Sequence, residues 1–337
     1  MTKDIKDIIK AIGNKNAAFI PDSEFYGERE LITTDIPIVN VALSGSITGG
    51  LSSGLTIFAG ASKSYKTMLS LQCAKAYLDK YPESSMFFFD AEHGASMDYF
   101  LSVGIDVSRV IHIPVSAVEE FKNQCYALLN TIERGYKCFI FLDSLGALAS
   151  NKTIEDTNEG KNTADMTRPK AINLVARLIT PLLNVKDIPC VIVNHIYESM
   201  DKYVPAKMGG GNGIMYASNT VLFISKTKIK EGTELEGYTF NIKIEKSRYI
   251  KEGKSLGFDV LYDEGVQRLS GISELALEYG SLTQGGGWYT QKNMLTGEVI
   301  GDKMRSSSGR YTQILEDLLT DIDFQKFVER KFKLAYI

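Results

Sequence analysis

The chemistry in this sequence is concentrated where hydrophobic runs end. Leu55-Thr56-Ile57-Phe58 runs into Gly60-Ala61-Ser62-Lys63-Ser64-Tyr65-Lys66-Thr67, and a helix-forming stretch follows. A turn that aims successive backbone N–H groups at one point, at the start of a helix whose dipole favours anions, cradles phosphate. Lys66 would then reach the outer phosphates and Thr67 would ligate Mg²⁺. Tyr65 stands where such loops ordinarily carry glycine. Cys138-Phe139-Ile140-Phe141-Leu142 ends in Asp143, an acid placed to hold the same Mg²⁺. Met86 to Phe89 ends in Asp90-Ala91-Glu92-His93, and Glu92 is a candidate to orient or deprotonate an attacking water. Asp90 sits nearer the strand body, where local bonding competes with that role. Cys190 to Val193 ends in Asn194-His195, and His195 could donate to a terminal phosphate and report its presence to the loop that follows. Glu245-Lys246-Ser247-Arg248 supplies two cations that could complete a neighbouring subunit's site in trans.

These residues require elements that hold them. From about residue 34, strand-length apolar runs alternate with segments of helical period, which predicts an α/β core. Strands are expected at 55–58, 86–89, 138–142, 189–193 and 220–225, with helices over 66–80, 118–133 and 166–184. Runs this uniformly apolar suit a mostly parallel sheet covered on both faces. Tyr238 to Lys246 alternates and predicts an antiparallel strand. Asn151–Thr163 is polar and aperiodic, and Tyr197–Gly213 is long and ends in Met208-Gly209-Gly210-Gly211-Asn212-Gly213; both read as functional loops. Ile5, Ile8, Ile9 and Ile12 predict a short amphipathic helix, followed by the apolar cluster Ala17-Ala18-Phe19-Ile20. From about 269 the pattern changes to a helix near 272–280, a Gly-rich aromatic turn and helices across 311–335. The expected division is therefore 1–33, 34–268 and a small α+β domain over 269–337.

Composition sets the outer bounds. The 337 residues are 44% hydrophobic with a net charge of −3, which excludes wholesale disorder and gives no bulk basic signal for nucleic acid. The longest apolar runs are strand-length, so no membrane span is expected. The charged start lacks the apolar region of a secretory signal. Cys73, Cys125, Cys138 and Cys190 form no CxxC pair and read as buried thiols of a reducing cytoplasm. His93, His112 and His195, without paired cysteines, argue against a zinc site.

Taken in order, Val41-Ala42-Leu43-Ser44-Gly45, Ile47-Thr48-Gly49-Gly50, GASKSYKT, Asp90-Ala91-Glu92-His93, Leu142-Asp143-Ser144-Leu145, Asn194-His195, MGGGNG with Tyr216-Ala217-Ser218, and Glu245-Lys246-Ser247-Arg248 resemble the RecA recombinase family, most closely its phage UvsX branch. The resemblance runs from Ile36-Pro37 to about residue 335, and an aromatic residue in the phosphate loop is a feature of that branch. It implies a RecA-like P-loop ATPase core with a mostly parallel twisted sheet and a short N-terminal polymerisation segment. It also implies an ATP- and Mg²⁺-dependent strand-exchange recombinase. Such a protein forms helical filaments on single-stranded DNA and pairs it with homologous duplex in recombination, repair and recombination-dependent replication. It implies single-strand-binding and mediator proteins as partners, no membrane, and the cytoplasm of a bacterial host.

By position, the resemblance makes Lys66, Glu92, His195, Lys246 and Arg248 catalytic. Gly60 to Thr67 and Tyr99 would bind nucleotide, with Tyr99 stacking on adenine, and Thr67 and Asp143 would hold the metal. The stretches 151–163 and 197–213 match two DNA loops, with Arg168, Lys207, Gly209, Gly210, Gly211 and Asn212 as DNA contacts. Phe19 and Ile20 match the segment that docks on the next subunit. The first loop sets Lys152 and Lys161 against Glu155, Asp156 and Glu159, so its charge does not attract phosphate. The acidic tail of many relatives has no counterpart from Asp321 onward, where acids and bases are mixed. A hexameric motor or a nucleotide-gated scaffold would share the nucleotide site; the ordered match through the second loop and the KSR segment favours the recombinase. Replacing Lys66 with alanine is expected to abolish ATP turnover in a phosphate-release assay while circular dichroism stays unchanged.

Overall fold

The computed structural model describes residues 4–14, 17–23, 25, 30–161, 166–197 and 207–335. Residues 1–30 and 31–337 are two compact units. Within the first, α1 (Ile5–Ile12) is capped at its start by Asp4, whose carboxylate accepts from the N–H of Lys6, and ends on left-handed Gly13. Its isoleucines form the amphipathic stripe expected from the spacing, and Ile5, Ile8 and Ile12 are exposed.

The second unit is built on one large sheet. Its strands are β1 (Gly54–Gly60), β2 (Ser85–Asp90), β3 (Val110–Pro114), β4 (Cys138–Asp143), β5 (Pro189–Tyr197), β6 (Lys207–Met208), β7 (Thr220–Glu231), β8 (Glu234–Ser247), β9 (Ser255–Leu261) and β10 (Gly265–Val266). Their order is β10-β9-β8-β7-β1-β5-β4-β2-β3, with β6 paired to the end of β5. From β7 to β3 all pairs are parallel, and β8 to β10 extend the sheet antiparallel. The helices are α2 (Pro37–Ser44), α3 (Lys66–Lys80), α4 (Met97–Val103), α5 (Val118–Thr131), α6 (Asn151–Asn158), α7 (Arg168–Lys186), α8 (Asn212–Ala217), α9 (Ile272–Tyr279), α10 (Gly309–Thr320) and α11 (Ile322–Phe332). A second, antiparallel sheet comprises β11 (Leu282–Gly285), β12 (Trp288–Lys292) and β13 (Val299–Met304).

Strand side chains alternate between faces, so each central strand feeds two cores. Phe58, Phe139, Phe141, Val191 and Val193 point to one, with α2 and α3 residues. Leu55, Ile57, Cys138, Ile140, Leu142, Cys190 and Ile192 point to the other, with α5 and α7 residues. All four cysteines are buried and free. The first core also takes in Ile272, Leu275, Leu315, Phe324, Val328 and Phe332. Residues of α9, α10 and α11 therefore share one core with the strands of the large sheet.

Two segments expected as structureless loops carry helix. Residues 151–158 form α6, which lacks an apolar stripe and is held instead at its start: the Ser150 hydroxyl accepts from the Thr153 N–H at 3.1 Å, and the Glu119 carboxylate accepts from the Asn151 N–H at 3.1 Å. In the second, Lys207–Met208 pairs antiparallel with Ile196–Tyr197, and Asn212 begins α8. The expected loop positions 162–163 and 198–206 lie outside the described residues.

The ring of Phe141 is fully buried and stacks on Phe88 at 5.2 Å between centroids. Phe141→Ala is expected to lower stability by about 3–5 kcal/mol in urea denaturation, with the protein still folded at low denaturant.

Candidate nucleotide site

Register brings the strand ends together. Gly60 of β1 is level with His195 of β5, and Asp90 of β2 is level with Asp143 of β4. Because β5 and β4 lie between β1 and β2, these carboxyl ends form one continuous rim, where open α/β sheets bind ligands. A cavity of about 340 Å³ opens on it, lined by Ser62 to Met68, Glu92, Tyr99, Asp143 and His195 among others.

The phosphate loop closes tightly. A Cβ on Gly60 would lie 2.3 Å from the Ile224 carbonyl oxygen and 2.6 Å from the Ser64 hydroxyl, so only glycine fits. Lys63 and Tyr65 both hold left-handed backbone, at φ 57° and 67°. Tyr65 precedes α3 without capping it through a side chain, which leaves the first-turn N–H groups for a ligand. Its ring packs on Phe240 and Phe258 at 4.9 and 5.7 Å, and burial pushes its hydroxyl pKa up to about 12. That packing explains how an aromatic side chain replaces the usual glycine: buried ring contacts offset a strained φ.

Lys66 folds over the loop, donating to the Ala61 carbonyl at 2.7 Å and the Ser64 hydroxyl at 3.3 Å. Burial lowers its pKa, against the pull of Asp143 and Glu92. The Thr67 hydroxyl donates to Asp143 Oδ2 at 2.7 Å. Asp143 Oδ1 is buried without a hydrogen-bond partner. A hydroxyl and a buried, half-satisfied carboxylate are hard oxygen donors that fit Mg²⁺, which would supply its charge to phosphate oxygens. Burial, reinforced by Glu92 and Asp90, raises the Asp143 pKa to about 6 despite the Thr67 bond and Lys66.

Glu92 is positioned from two sides. The Ser144 hydroxyl donates to its Oε1, and His195 Nε2 lies 3.2 Å from the same oxygen. Gly146 lets the imidazole approach, since a Cβ there would fall 2.4 Å from the ring. Asp90 instead bonds locally: its Oδ1 accepts from the N–H groups of Glu92 at 3.2 Å and His93 at 2.7 Å. Ser144 went unremarked in the sequence; its place directly after the strand-end acid was the available signal. Tyr99, on α4, is half-exposed at the cavity edge.

Other candidates stand elsewhere. Lys246 and Arg248 do not line the cavity: the Lys246 ammonium donates to the carbonyls of Tyr216, at 2.7 Å, and Ser218, while Arg248 reaches the Ala217 carbonyl at 3.5 Å. Burial and neighbouring Arg248 lower the Lys246 pKa. Arg168, expected to meet DNA, donates to the carbonyls of Leu148 at 2.7 Å, Leu145 at 3.0 Å and Gly146 at 3.2 Å, so its planar fork braces the segment after β4. Gly209, expected to offer backbone N–H groups to DNA, is buried; its N–H goes to the His195 carbonyl at 3.0 Å, and Asn194 donates to its carbonyl at 2.8 Å. Lys207, Gly211 and Asn212 are exposed, and Gly210 is partly so. Phe19 and Ile20 are 56% and 64% exposed.

The chain is similar to known recombination proteins. Residues 1–267 match the RecA N-terminal domain family. The chain is 39% identical over 335 residues to the recombination and repair protein of Enterobacteria phage T4, covering 98% of this chain and 86% of that protein. It is 25% identical over 308 residues to protein RecA of Streptomyces venezuelae, covering 90% and 76%. It is 25% identical over 305 residues to protein RecA of Acholeplasma laidlawii, covering 89% and 88%.

The raised Asp143 pKa has a defined effect on metal-free protein. Between the ordinary aspartate value of 3.8 and about 6 the native state holds a proton that the unfolded state has lost, so stability falls as pH rises through that window. Asp143→Asn is expected to raise the melting temperature of metal-free protein at pH 7 relative to the parent, by an amount that vanishes near pH 4, and to abolish further stabilisation by Mg²⁺ with ATP. Thermal melts across that range check both.

Proposed function

This chain belongs to the RecA family of recombination proteins, and from that premise we propose that it hydrolyses ATP at the β1–β5–β4–β2 rim when assembled on DNA. Its role in recombination and repair accompanies the family; the site roles are our reading of the geometry. The observation that carries them is the convergence of Lys66, the Thr67–Asp143 pair and the buttressed Glu92 on one cavity. Gly60 to Thr67 would hold the phosphates, Thr67 and Asp143 the Mg²⁺, and Tyr99 the base. Glu92 orients water and accepts its proton, and its bonds to Ser144 and His195 keep the carboxylate aimed.

His195 joins this site to the second DNA segment. Its ring meets Glu92 while its own carbonyl accepts from Gly209, so a terminal phosphate that shifts the imidazole acts directly on the strand leading to Gly210, Gly211 and Asn212. Nucleotide and DNA affinity are coupled through that residue. Among the described residues, Lys207 and the exposed Gly210–Asn212 end of the segment remain candidates to meet DNA. Lys246 and Arg248 lie on the antiparallel side of the sheet, away from the chain's own cavity, which suits cations that complete a neighbour's site. Phe19 and Ile20 are apolar, exposed and suited to dock on that neighbour. The assembly is a helical filament on single-stranded DNA that pairs with homologous duplex, in the cytoplasm of a bacterial host, with single-strand-binding and mediator proteins assisting. Among the described residues no helix is long and apolar enough to cross a membrane.

Electron microscopy with ATP and single-stranded DNA is expected to show long helical filaments; closed rings would instead identify a translocating motor. His195→Ala is expected to bind ATP yet lose the tightening of DNA binding that a non-hydrolysable analogue gives over ADP in the parent. Tightening equal to the parent's would assign His195 a structural role.

A further inference from the structure

We propose that Asp90, His93 and His112 form a binding site for a divalent transition-metal ion of the zinc class, separate from the nucleotide cavity. The histidines are far apart in sequence and come from different elements, which is why their spacing gave no zinc signal. His112 lies on β3 beside Phe88 of β2, so Asp90, two residues further along β2, shares its face of the sheet. His93 follows in the turn after β2, on left-handed backbone at φ 52°, uncommon for a residue with a side chain.

Asp90 Oδ2 stands 3.1 Å from His112 Nε2 and 3.6 Å from His93 Nδ1, and the three ligand atoms all lie within 4.8 Å of one another. Two donors on one tetrahedral zinc, each about 2.0–2.1 Å from the metal, sit roughly 3.3 Å apart. The two separations fall on either side of that value. An aspartate–histidine hydrogen bond accounts for His112 alone; His93 is beyond hydrogen-bond range of the same oxygen yet turned toward it. Oδ1 is already engaged by the N–H groups of Glu92 and His93, which fixes the carboxylate and leaves Oδ2 for an ion, the usual outer-sphere arrangement of a metal-bound carboxylate. The Asp90 carboxylate is buried at 6% exposure, whereas the imidazoles are 60% and 51% exposed, so an ion can enter from solvent. A neighbouring cavity of about 430 Å³, walled by Phe88, Phe100 and Val110, gives the open side an apolar border. Two imidazoles and one carboxylate suit zinc, cobalt or nickel over Mg²⁺, which favours all-oxygen sets. An ion here would pin the turn containing Glu92 against β3.

The test is titration of the full chain with Zn²⁺ against a chromophoric chelator, and with Co²⁺ for tetrahedral absorption bands, in excess Mg²⁺ so that the Thr67–Asp143 site stays occupied by its own ion. The variants are His112→Gln and His93→Asn, the latter chosen because asparagine tolerates left-handed backbone. Circular dichroism confirms that each is folded. The expected result is one ion per chain in the parent, with affinity falling at least about tenfold in each variant and the cobalt bands lost. No zinc binding at micromolar concentration in the parent, unchanged binding in both variants, or loss in only one of them would overturn the three-ligand site. If a variant fails to fold, protection of both histidines from diethylpyrocarbonate by Zn²⁺ in the parent replaces it; equal modification with and without the ion would overturn the proposal.

Discussion

Everything at the site depends on the parallel register of four strands. Gly60 is brought level with His195, and Asp143 with Asp90, by backbone hydrogen bonding alone, before any side chain chooses a partner; Leu142 beside Ile192 sets the offset between the two pairs. Slipping one strand by a single residue would turn its apolar set to the opposite core and carry its terminal residue away from the rim. The Phe-rich face of β2 and β4 and the branched residues of β1 and β5 hold that register from both sides. The same packing that stabilises the unit thereby fixes the distances between the groups on the rim.

On this rim the protein accepts two local penalties. Asp143 is a carboxylate in an apolar setting with one oxygen unpaired. Tyr65 is a bulky residue on left-handed backbone. The second is relieved by aromatic packing against Phe240 and Phe258 on β8 and β9, and the first would be relieved by a cation. The second relief ties the antiparallel extension to the conformation of the Gly60–Thr67 loop, although it adds no group to that loop. Local conflict with general preference is expected at functional positions and is compensated by the surrounding core.

Strand-end chemistry was legible from sequence because an apolar run closed by Asp90, Asp143 or His195 states both the strand and its carboxyl end. The flanking helices followed from periodicity. β3 was missed: Val110-Ile111-His112-Ile113 is a short edge strand with no fully buried residue. α6 was missed because its stability comes from capping by Ser150 and Glu119 rather than from an apolar face. Arg168 was legible as a cation but not as a brace, since its acceptors are backbone carbonyls, which any sequence supplies. Ser144 and His112 acquire their partners only through tertiary register, which no local pattern encodes.

The segment between β4 and α6 is fastened at both ends. Ser144 holds Glu92 at its start, the Leu145 N–H holds the Val193 carbonyl, and the Arg168 guanidinium grips Leu145, Gly146 and Leu148 from the first residue of α7. Such a segment behaves as a rigid linkage under tension. A displacement at the start of α7 would reach the Glu92 carboxylate through a few short bonds. The Glu92 carboxylate is in this sense mechanically wired to α7, and its geometry would register a displacement there.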